Sequence, residues 1–272
     1  MKPPTLPHRD NLLERQGETW RPPNFQSASS GWEKLLAAAR RFLDLQAASI
    51  WRDLTLLLSR CEGVTLDVGC GAQPYRSLLP PSVTYVGIDT ADAQSRFGYD
   101  VADTIYFQGD TWPVDSDSVD TVLATETLEH VARPEQFLAE ARRVLKREGW
   151  LVLTVPFAAR WHYIPHDYWR FTPSGLRIAL TAAGFNVPVV YARGNEVTVA
   201  CYKVMALILM LLLGEVRRVP LRVASRILGG LLTPLLIFLG VIGQASLRAR
   251  GGNDSLGYTV VVSVSTHPDG RL

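Results

Sequence analysis

Residues suited to binding a charged ligand follow a short apolar run near residue 66. This turn reads Asp67-Val68-Gly69-Cys70-Gly71. Glycine has no Cβ, so the backbone of such a turn can approach a ligand closely. The backbone amides and the start of the following helix favour a carboxylate. The acidic Asp67 indicates that the same ligand also carries an ammonium group.

Three further polar turns follow later apolar runs. Asp89 lies 22 residues after Asp67, where an acid accepts hydrogen bonds from the ribose hydroxyls of an adenosine. Asp110 follows the third run and can accept the adenine amino group, and Thr125-Glu126 ends the fourth. In an open α/β sheet, ligands bind at the carboxyl ends of the strands. These turns therefore predict one cleft for an adenosine ligand that carries an ammonium and a sulfonium.

The segment Glu126-Thr-Leu-Glu129-His130 could bind a hard cation, because carboxylates and an imidazole lie at close spacing. We favour the interpretation without a metal, in which Glu126 faces the ligand and His130 packs near the cleft mouth. A zinc site made by His162 and His166 is disfavoured, since the intervening Pro165 breaks a helix.

Alternating strands and helices position these turns. The apolar runs 64–68, 84–89, 105–108, 119–124, 150–155, 187–191 and 258–264 predict strands, most of them buried on both faces. Helical spacing predicts one long helix over 31–60, another over 134–146 and a third that stops at Gly184. Residues 1–30 are expected to form a loose arm. The fold class is α/β.

The composition bounds the class of protein. Hydrophobic residues make up 47% of the 272 residues, which is enough for a full core, and the net charge of +2 gives no field for gathering nucleic acid. Three cysteines without a C-x-x-C pair exclude a disulfide scaffold and a cysteine zinc site. The first residues contain no apolar signal segment. We expect a cytoplasmic protein that does not bind nucleic acid.

Taken together, residues 64–185 resemble the class I S-adenosylmethionine (SAM)-dependent methyltransferases, in their small bacterial, type 11-like branch. The resemblance rests on LDVGCG (66–71), VGID (86–89), GD (109–110), VDTVLATETLEHV (119–131) and LTVPF (153–157). It implies a doubly wound, mostly parallel, seven-stranded Rossmann-like sheet with SAM as cofactor. The departure is Gln73-Pro74, where many relatives have a further glycine.

The resemblance also implies roles for residues. Asp67, Gly69 and Gly71 hold the methionine end, Asp89 holds the ribose, and Asp110 with Thr111 holds the adenine. The remaining expected cofactor contacts are Cys70, Thr90, Thr125 and Glu126. In some quinone O-methyltransferases and small-RNA methyltransferases, a similar E-x-x-E-H cluster binds a cation.

The loop after the fifth strand, residues 157–172, lies where a methyltransferase holds its acceptor. Methyl transfer is an in-line displacement that mainly needs positioning, and an oxygen acceptor needs a base to take its proton. We predict His162 and His166 as candidate bases, and His130, Tyr168 and Arg170 as substrate contacts. A purely structural role, with Asp167 pairing Arg170, is the alternative.

Residues 197–252 form an apolar and basic helical insertion before the last strand. The stretch 200–252 carries 7 basic residues and 1 acidic residue, whereas 61–132 carries 12 acidic and 2 basic residues. The uncharged runs are 204–214 and 227–247. We expect two helices lying in one membrane leaflet with arginines at anionic headgroups. One alternative is that the helices pack on the sheet or on a twin subunit in a homodimer. The other is a true membrane span.

The sequence thus predicts a methyltransferase domain over 31–196 and 253–267, interrupted by the insertion at 197–252. Its expected activity is methyl transfer to a hydroxyl of a small or lipid-linked acceptor, at the inner face of the membrane. A non-catalytic SAM-binding membrane module remains an alternative. A nicotinamide (NAD)-dependent oxidoreductase is disfavoured, because Pro74 takes the place of the third glycine in the dinucleotide-binding motif. That motif also usually lacks an acid at the position of Asp67, two residues before the first glycine.

Overall fold

The computed structural model of the chain describes residues 12–14, 18, 30–98, 100–214 and 218–264. The loose arm predicted for residues 1–30 lies outside these residues except at 12–14, 18 and 30. The end of the predicted domain, residues 265–267, also lies outside them.

Seven strands form one sheet in the order β3-β2-β1-β4-β5-β7-β6. The strands are β1 Val64–Val68, β2 Thr84–Thr90, β3 Thr104–Phe107, β4 Val119–Thr125, β5 Leu145–Pro156, β6 Val189–Arg193 and β7 Gly257–Ser263. Strands β1 to β5 pair in parallel, and β7 runs antiparallel to both β5 and β6. The predicted doubly wound sheet is confirmed, and its strands lie within a few residues of the predicted apolar runs.

The register brings the four polar turns to one edge of the sheet. Val68 pairs with Ile88 on β2, and Asp67 pairs with Leu123 on β4. Asp89 pairs with Tyr106 on β3. The turns that follow these strands therefore meet side by side, as parallel pairing requires.

The predicted helix over 31–60 is two helices, which corrects the prediction. The first, α1, is Gly31–Leu43 and the second, α2, is Leu45–Leu58. Asp44 between them has extended backbone angles, and its carboxylate accepts the Ala47 N–H at 3.1 Å. An aspartate side chain competes with helix continuation by capping a new helix, and periodicity does not report this competition.

Three shorter helices follow: α3 is Ala93–Phe97, α4 is Pro134–Val144 and α5 is Pro173–Ala182. Helix α4 ends two residues earlier than predicted, because Leu145 turns to extended geometry and begins β5. Apolar side chains of α4 and α5 complete the buried core under the sheet.

The insertion holds three helices: α6 is Glu196–Leu213, α7 is Val219–Leu231 and α8 is Thr233–Ser246. The apolar run 227–247 is thus divided at Leu232, and α7 and α8 are bent by 52° from one another. This differs from the two helices expected. Pro234 in the first turn of α8 explains the division, since proline suits the start of a helix and not its interior.

Small residues let α8 lie close to the N-terminal helices. A Cβ on Gly243 would be 2.5 Å from Cδ1 of Leu45, and one on Gly240 would be 2.9 Å from the Phe42 ring. The contact belongs to a second apolar core in which Leu45 packs with Met205, Ile208 and Leu236. The insertion is therefore anchored on α1 and α2.

Within the described residues, α6 is long and apolar enough to cross a membrane, and α7 with α8 reaches the same threshold only as a bent pair. Both ends of the insertion lie at the carboxyl edge of the sheet. Arg193 at the end of β6 pairs with Gly257 at the start of β7, and Pro156 at the end of β5 pairs with the same glycine. The insertion thus leaves and re-enters the sheet at the edge where the polar turns lie.

Candidate active site

A cleft of about 740 Å³ opens at the carboxyl ends of β1, β2 and β4. This volume lies in the range of small-molecule and cofactor sites. The predicted cofactor residues that line it are Asp67, Gly69, Cys70, Gly71, Asp89, Thr90, Asp110, Thr125 and Glu126. Thr111 is not among the lining residues.

The floor of the cleft is the turn after β1. Gly69 has a φ of +68° and Gly71 a φ of +50°, a backbone conformation that favours glycine. A Cβ on Gly69 would lie 2.5 Å from the Thr127 side chain. The Gly69 N–H also donates to the Ile88 carbonyl at 2.9 Å. Glycine is therefore required at this position for both conformation and space.

Asp67 lies buried beneath the turn and accepts a hydrogen bond from the Tyr85 hydroxyl at 2.8 Å. Burial and the nearby Asp89 carboxylate raise the pKa of Asp67 to about 7, although the hydrogen bond from Tyr85 lowers it. A positive charge close by would stabilise the ionised form of this buried carboxyl group. The floor of the cleft therefore favours an ammonium-bearing ligand.

Asp89 is also buried, and its two oxygens accept the N–H groups of Gly71 at 3.0 Å and Thr90 at 2.8 Å. Burial raises the pKa of this carboxyl above its ordinary value. The hydrogen bonds fix the carboxylate beside the glycine turn. Asp89 thus lines the cleft in an orientation set by two neighbouring strands.

Two other predicted cofactor residues have local partners. Asp110 lines the cleft and forms an ion pair with Arg133. The Cys70 thiol lies 3.5 Å from the Thr104 hydroxyl, and burial raises its pKa to about 12. Cys70 is thus a neutral thiol and contributes no charge to the cleft.

Glu126 closes β4 with a φ of +49°, a strained value for a residue other than glycine. Its carboxylate accepts a hydrogen bond from Arg193 Nη2 at 2.7 Å. The guanidinium has no exposed surface and also donates to the Val155 carbonyl at 2.9 Å. Arg193 was not predicted from the sequence as a functional residue; the available signal was a charged residue at the end of an apolar strand.

An aromatic cluster lines one side of the cleft. The rings of Phe97, His130, His162 and Tyr163 lie with centroids 5.0 to 5.5 Å apart in neighbouring pairs. His130 Nδ1 lies 2.6 Å from the His166 carbonyl oxygen and must donate to it, since a carbonyl only accepts. Burial and the neighbouring His162 lower the pKa of His130 to about 4.

His162 is held by the same loop. Its Nδ1 lies 2.9 Å from Asp167 Oδ2 and 3.0 Å from the Arg160 carbonyl, so this nitrogen carries the proton. Arg170 binds both oxygens of Asp167 at 2.6 and 2.7 Å. Burial raises the pKa of Asp167, but the hydrogen bonds from Arg170 and His162 outweigh burial and hold this pKa well below its usual range.

Some predicted acceptor residues lie elsewhere. His130 and His162 line the cleft, but His166 does not, and its Nδ1 lies 3.4 Å from the Tyr168 hydroxyl. Tyr168 and Arg170 line a separate pocket of about 270 Å³ with Trp161 and Asp167. Arg170 is therefore a positioning residue for Asp167. Catalytic and substrate roles for this set remain predictions.

Glu18 was also missed. Its carboxylate accepts the Tyr163 N–H at 2.6 Å and pairs with Arg160 at 3.1 Å. Glu18 therefore also fixes the loop over residues 157–172. A single acid in a segment without periodicity gives no sequence signal for such a contact.

Comparison with known proteins agrees with the fold. Residues 66–153 match the methyltransferase domain family. An uncharacterised 37.1 kDa protein in a transposon of Streptomyces fradiae is 35% identical over 113 residues, which is 38% of this chain and 32% of that protein. The match thus spans about a third of that relative's length.

Solved structures share the architecture. A SAM-dependent methyltransferase of Thermotoga maritima, described as a possible histamine N-methyltransferase, superposes with a TM-score of 0.51 at 14% identity and covers 85% of this chain and 96% of that one. A chain from the Haloferax volcanii complex of a methyltransferase activator with a putative methyltransferase gives a TM-score of 0.50 at 18% identity, covering 89% and 100%.

Residues 66–153 match the methyltransferase domain family, and the chain has the fold of class I SAM-dependent methyltransferases. The cleft fits SAM as a cofactor: the glycine turn leaves room at the position where a Cβ would clash, and buried Asp67 and Asp89 would offer carboxylates to its ammonium and hydroxyl groups. The interpretation as a nicotinamide-dependent oxidoreductase is not retained.

Proposed function

We propose that the protein methylates a hydroxyl oxygen of a small or lipid-linked acceptor that it meets at a membrane surface. The observation that carries this proposal is the position of the apolar insertion at the carboxyl edge of the sheet, beside the acceptor end of the cleft. Lys203 on α6 donates to the Ala158 carbonyl in the loop that leads to His162. The insertion and the acceptor loop are thus in direct contact.

The cleft offers positioning at its acceptor end. When bound, SAM supplies a methyl group on a positively charged sulfur, which is open to in-line attack. The rings of His130 and Tyr163 pack around His162, and its Nδ1 proton is donated within the loop, so its Nε2 is the nitrogen able to accept a proton. This geometry supports an acceptor that loses a proton on methylation, as a hydroxyl does.

The outer faces of the insertion are apolar. Large side chains between 40% and 74% exposed include Val204 and Leu207 on α6, Leu231 on α7 and Phe238 on α8. Contiguous exposed apolar surface marks an interaction site. Arg218, Arg222 and Arg226 are exposed on the same insertion. Apolar side chains together with arginines favour a surface of anionic lipid.

Sheet pairing supports surface docking over spanning. Strand β7 follows the insertion and pairs with β5 from Trp150 to Pro156. A single crossing between β6 and β7 would place these strands on opposite sides of the bilayer. Helices that lie in one leaflet keep both strands in the sheet, and they require no arginine to cross.

The proposal is tested with purified protein, radiolabelled SAM and three pools of acceptor: a bacterial lipid extract, a soluble metabolite extract, and a fraction of soluble protein and RNA. We expect label in the lipid extract, in an alkali-stable ether. Label confined to soluble protein or RNA would contradict the proposal.

Membrane docking is tested separately by sedimentation with vesicles of phosphatidylglycerol and phosphatidylcholine. The variant Leu207→Glu with Phe238→Glu should lose vesicle binding, because two charges would enter the apolar leaflet. Ile178→Glu on α5 is the matched control, since Ile178 is 69% exposed and lies outside the insertion. A dimer in solution that is disrupted by the double variant, with no vesicle binding by the wild type, would show that this face is a subunit interface instead.

A further inference from the structure

Three side chains at the acceptor end of the cleft present ligand atoms to one point. Glu129, His130 and His162 each offer one atom, and these atoms lie within 4.8 Å of one another. His130 Nε2 is 3.7 Å from Glu129 Oε1. Ligands of a tetrahedral divalent cation such as zinc lie about 3.3–3.6 Å apart when bonded at about 2.0–2.2 Å, so a small inward movement would close the set.

Glu129 has no explanation in the fold itself. It has no exposed surface, and neither of its carboxylate oxygens has a hydrogen-bond partner among the described residues. A buried carboxylate without a partner is costly, and such groups are normally paired or coordinate a metal. The missing partner is on the side of the two imidazoles.

Both histidines are oriented as metal ligands are. His130 donates its Nδ1 proton to the His166 carbonyl, and His162 donates its Nδ1 proton toward Asp167, which Arg170 fixes in turn. A metal-bound histidine almost always donates its other ring N–H to a carbonyl or a carboxylate. Each ring therefore keeps Nε2 as the nitrogen with a free lone pair.

We propose that Glu129, His130 and His162 form a binding site for a first-row divalent cation. Two imidazoles and one carboxylate suit zinc, manganese, iron(II) or cobalt(II) and leave coordination positions open. Glu126, the other acid of the E-x-x-E-H segment, is bound to Arg193 and is not a ligand in this set. The proposal differs from the interpretation without a metal that the sequence favours.

Open positions on this cation would accept oxygen atoms of the acceptor. A divalent cation orients a bound hydroxyl and lowers its pKa, so that the proton can leave to solvent. With the cation bound, His162 Nε2 is a ligand, and the cation takes over the role of base that His162 has in the cation-free site. This role in catalysis rests on the proposed function, whereas the binding of the cation does not. An acceptor with two adjacent oxygens would chelate the ion at the cleft mouth.

The test is a titration of chelator-treated full-length protein with cobalt(II), followed by its ligand-field absorption, with zinc(II) as the competitor. We expect saturable binding at one site, weakened more than about 100-fold by Glu129→Gln and by His162→Ala, and about 10–100-fold by Asp167→Asn. His166→Ala is the matched control, because it removes an imidazole in the same loop and keeps the backbone carbonyl that His130 needs.

Calorimetry with S-adenosylhomocysteine on every variant shows that the cofactor cleft has folded. Absence of cobalt(II) and zinc(II) binding by wild-type protein that binds S-adenosylhomocysteine would overturn the inference. Equal metal affinity of wild type and a folded Glu129→Gln would overturn it too. Since the assay contains no acceptor, its result is independent of whether the methylated group is a lipid hydroxyl.

Discussion

Arg193 Nη2 donates to Glu126 Oε1 at 2.7 Å from a position without any solvent exposure. This pair joins the end of β6 to the strained residue that closes β4. The guanidinium also reaches the Val155 carbonyl, and at 3.4 Å the Ser49 hydroxyl on α2. One side chain therefore connects the N-terminal helices, the sheet and the active-site cleft.

The pair predicts an asymmetric response to mutation. Glu126→Ala should lower the free energy of unfolding by about 3–5 kcal/mol, because it leaves a fully buried guanidinium without its carboxylate. Arg193→Met should cost less, since the Glu126 side chain is 26% exposed and can be hydrated. Urea denaturation of both variants measures the difference, and equal losses would contradict this account.

The Asp89 carboxylate is expected to contribute to the affinity of the protein for its cofactor. Asp89→Asn should weaken S-adenosylhomocysteine binding about 10–100-fold, because hydrogen bonds to a charged group contribute about 1.5–3 kcal/mol. Isothermal calorimetry provides the dissociation constant, with NADH as the parallel ligand that should not bind. Asp103→Asn is the control, since the Asp103 side chain is 74% exposed. The role assigned to Asp89 is wrong if the two variants bind equally well.

Asp67 predicts a pH dependence of cofactor binding. With its pKa raised to about 7, chiefly by burial, the carboxyl is largely protonated in the free protein at about pH 6. An ammonium group binds the ionised form, so affinity should rise between about pH 6 and 8 as the carboxyl ionises, and binding should release a proton at about pH 6. Calorimetry in buffers of different ionisation enthalpy counts that proton.

Other titratable or charged groups lie around Asp67. They are the Tyr85 hydroxyl, the Asp89 carboxylate and the Cys70 thiol, and Arg76 lies 4.9 Å from the Tyr85 ring. Because a raised carboxyl pKa means that the folded state holds the proton more tightly, Asp67 makes the free protein less stable as pH rises from about 4 to 7. Asp67→Asn should remove both effects, and an unchanged pH profile in that variant would assign them to another group.

Two glycines separate conformational strain from steric clash. Gly69→Ala and Gly109→Ala both place alanine at a positive φ, +68° and +85°, which costs about 1–2 kcal/mol. A Cβ on Gly69 also meets Thr127, whereas one on Gly109 meets nothing within 4 Å. Gly69→Ala should therefore destabilise the protein more and also weaken cofactor binding. Thermal unfolding of both variants with and without S-adenosylhomocysteine tests this. Equal decreases in Tm for Gly69→Ala and Gly109→Ala would show that the Thr127 side chain moves aside without cost.

Local physics made much of this protein predictable from its sequence. Strands buried on both faces leave continuous apolar runs, so β1, β2, β4 and β7 could be placed closely. A glycine turn after a strand has a conformational requirement of its own, and the acids that end parallel strands must share an edge. The cleft with Asp67, Gly69 and Asp89 followed from these facts.

Only the tertiary structure decided contacts between distant segments. Nothing near Arg193 in the sequence indicates that it lies under Glu126, 67 residues away. The loop spacing did not distinguish His162, which lines the cleft, from His166, which supplies a carbonyl. Burial of Glu129 without a partner is likewise a property of packing. Periodicity and motifs report what a residue does to its own backbone, whereas pairing across the sheet depends on how the whole chain closes.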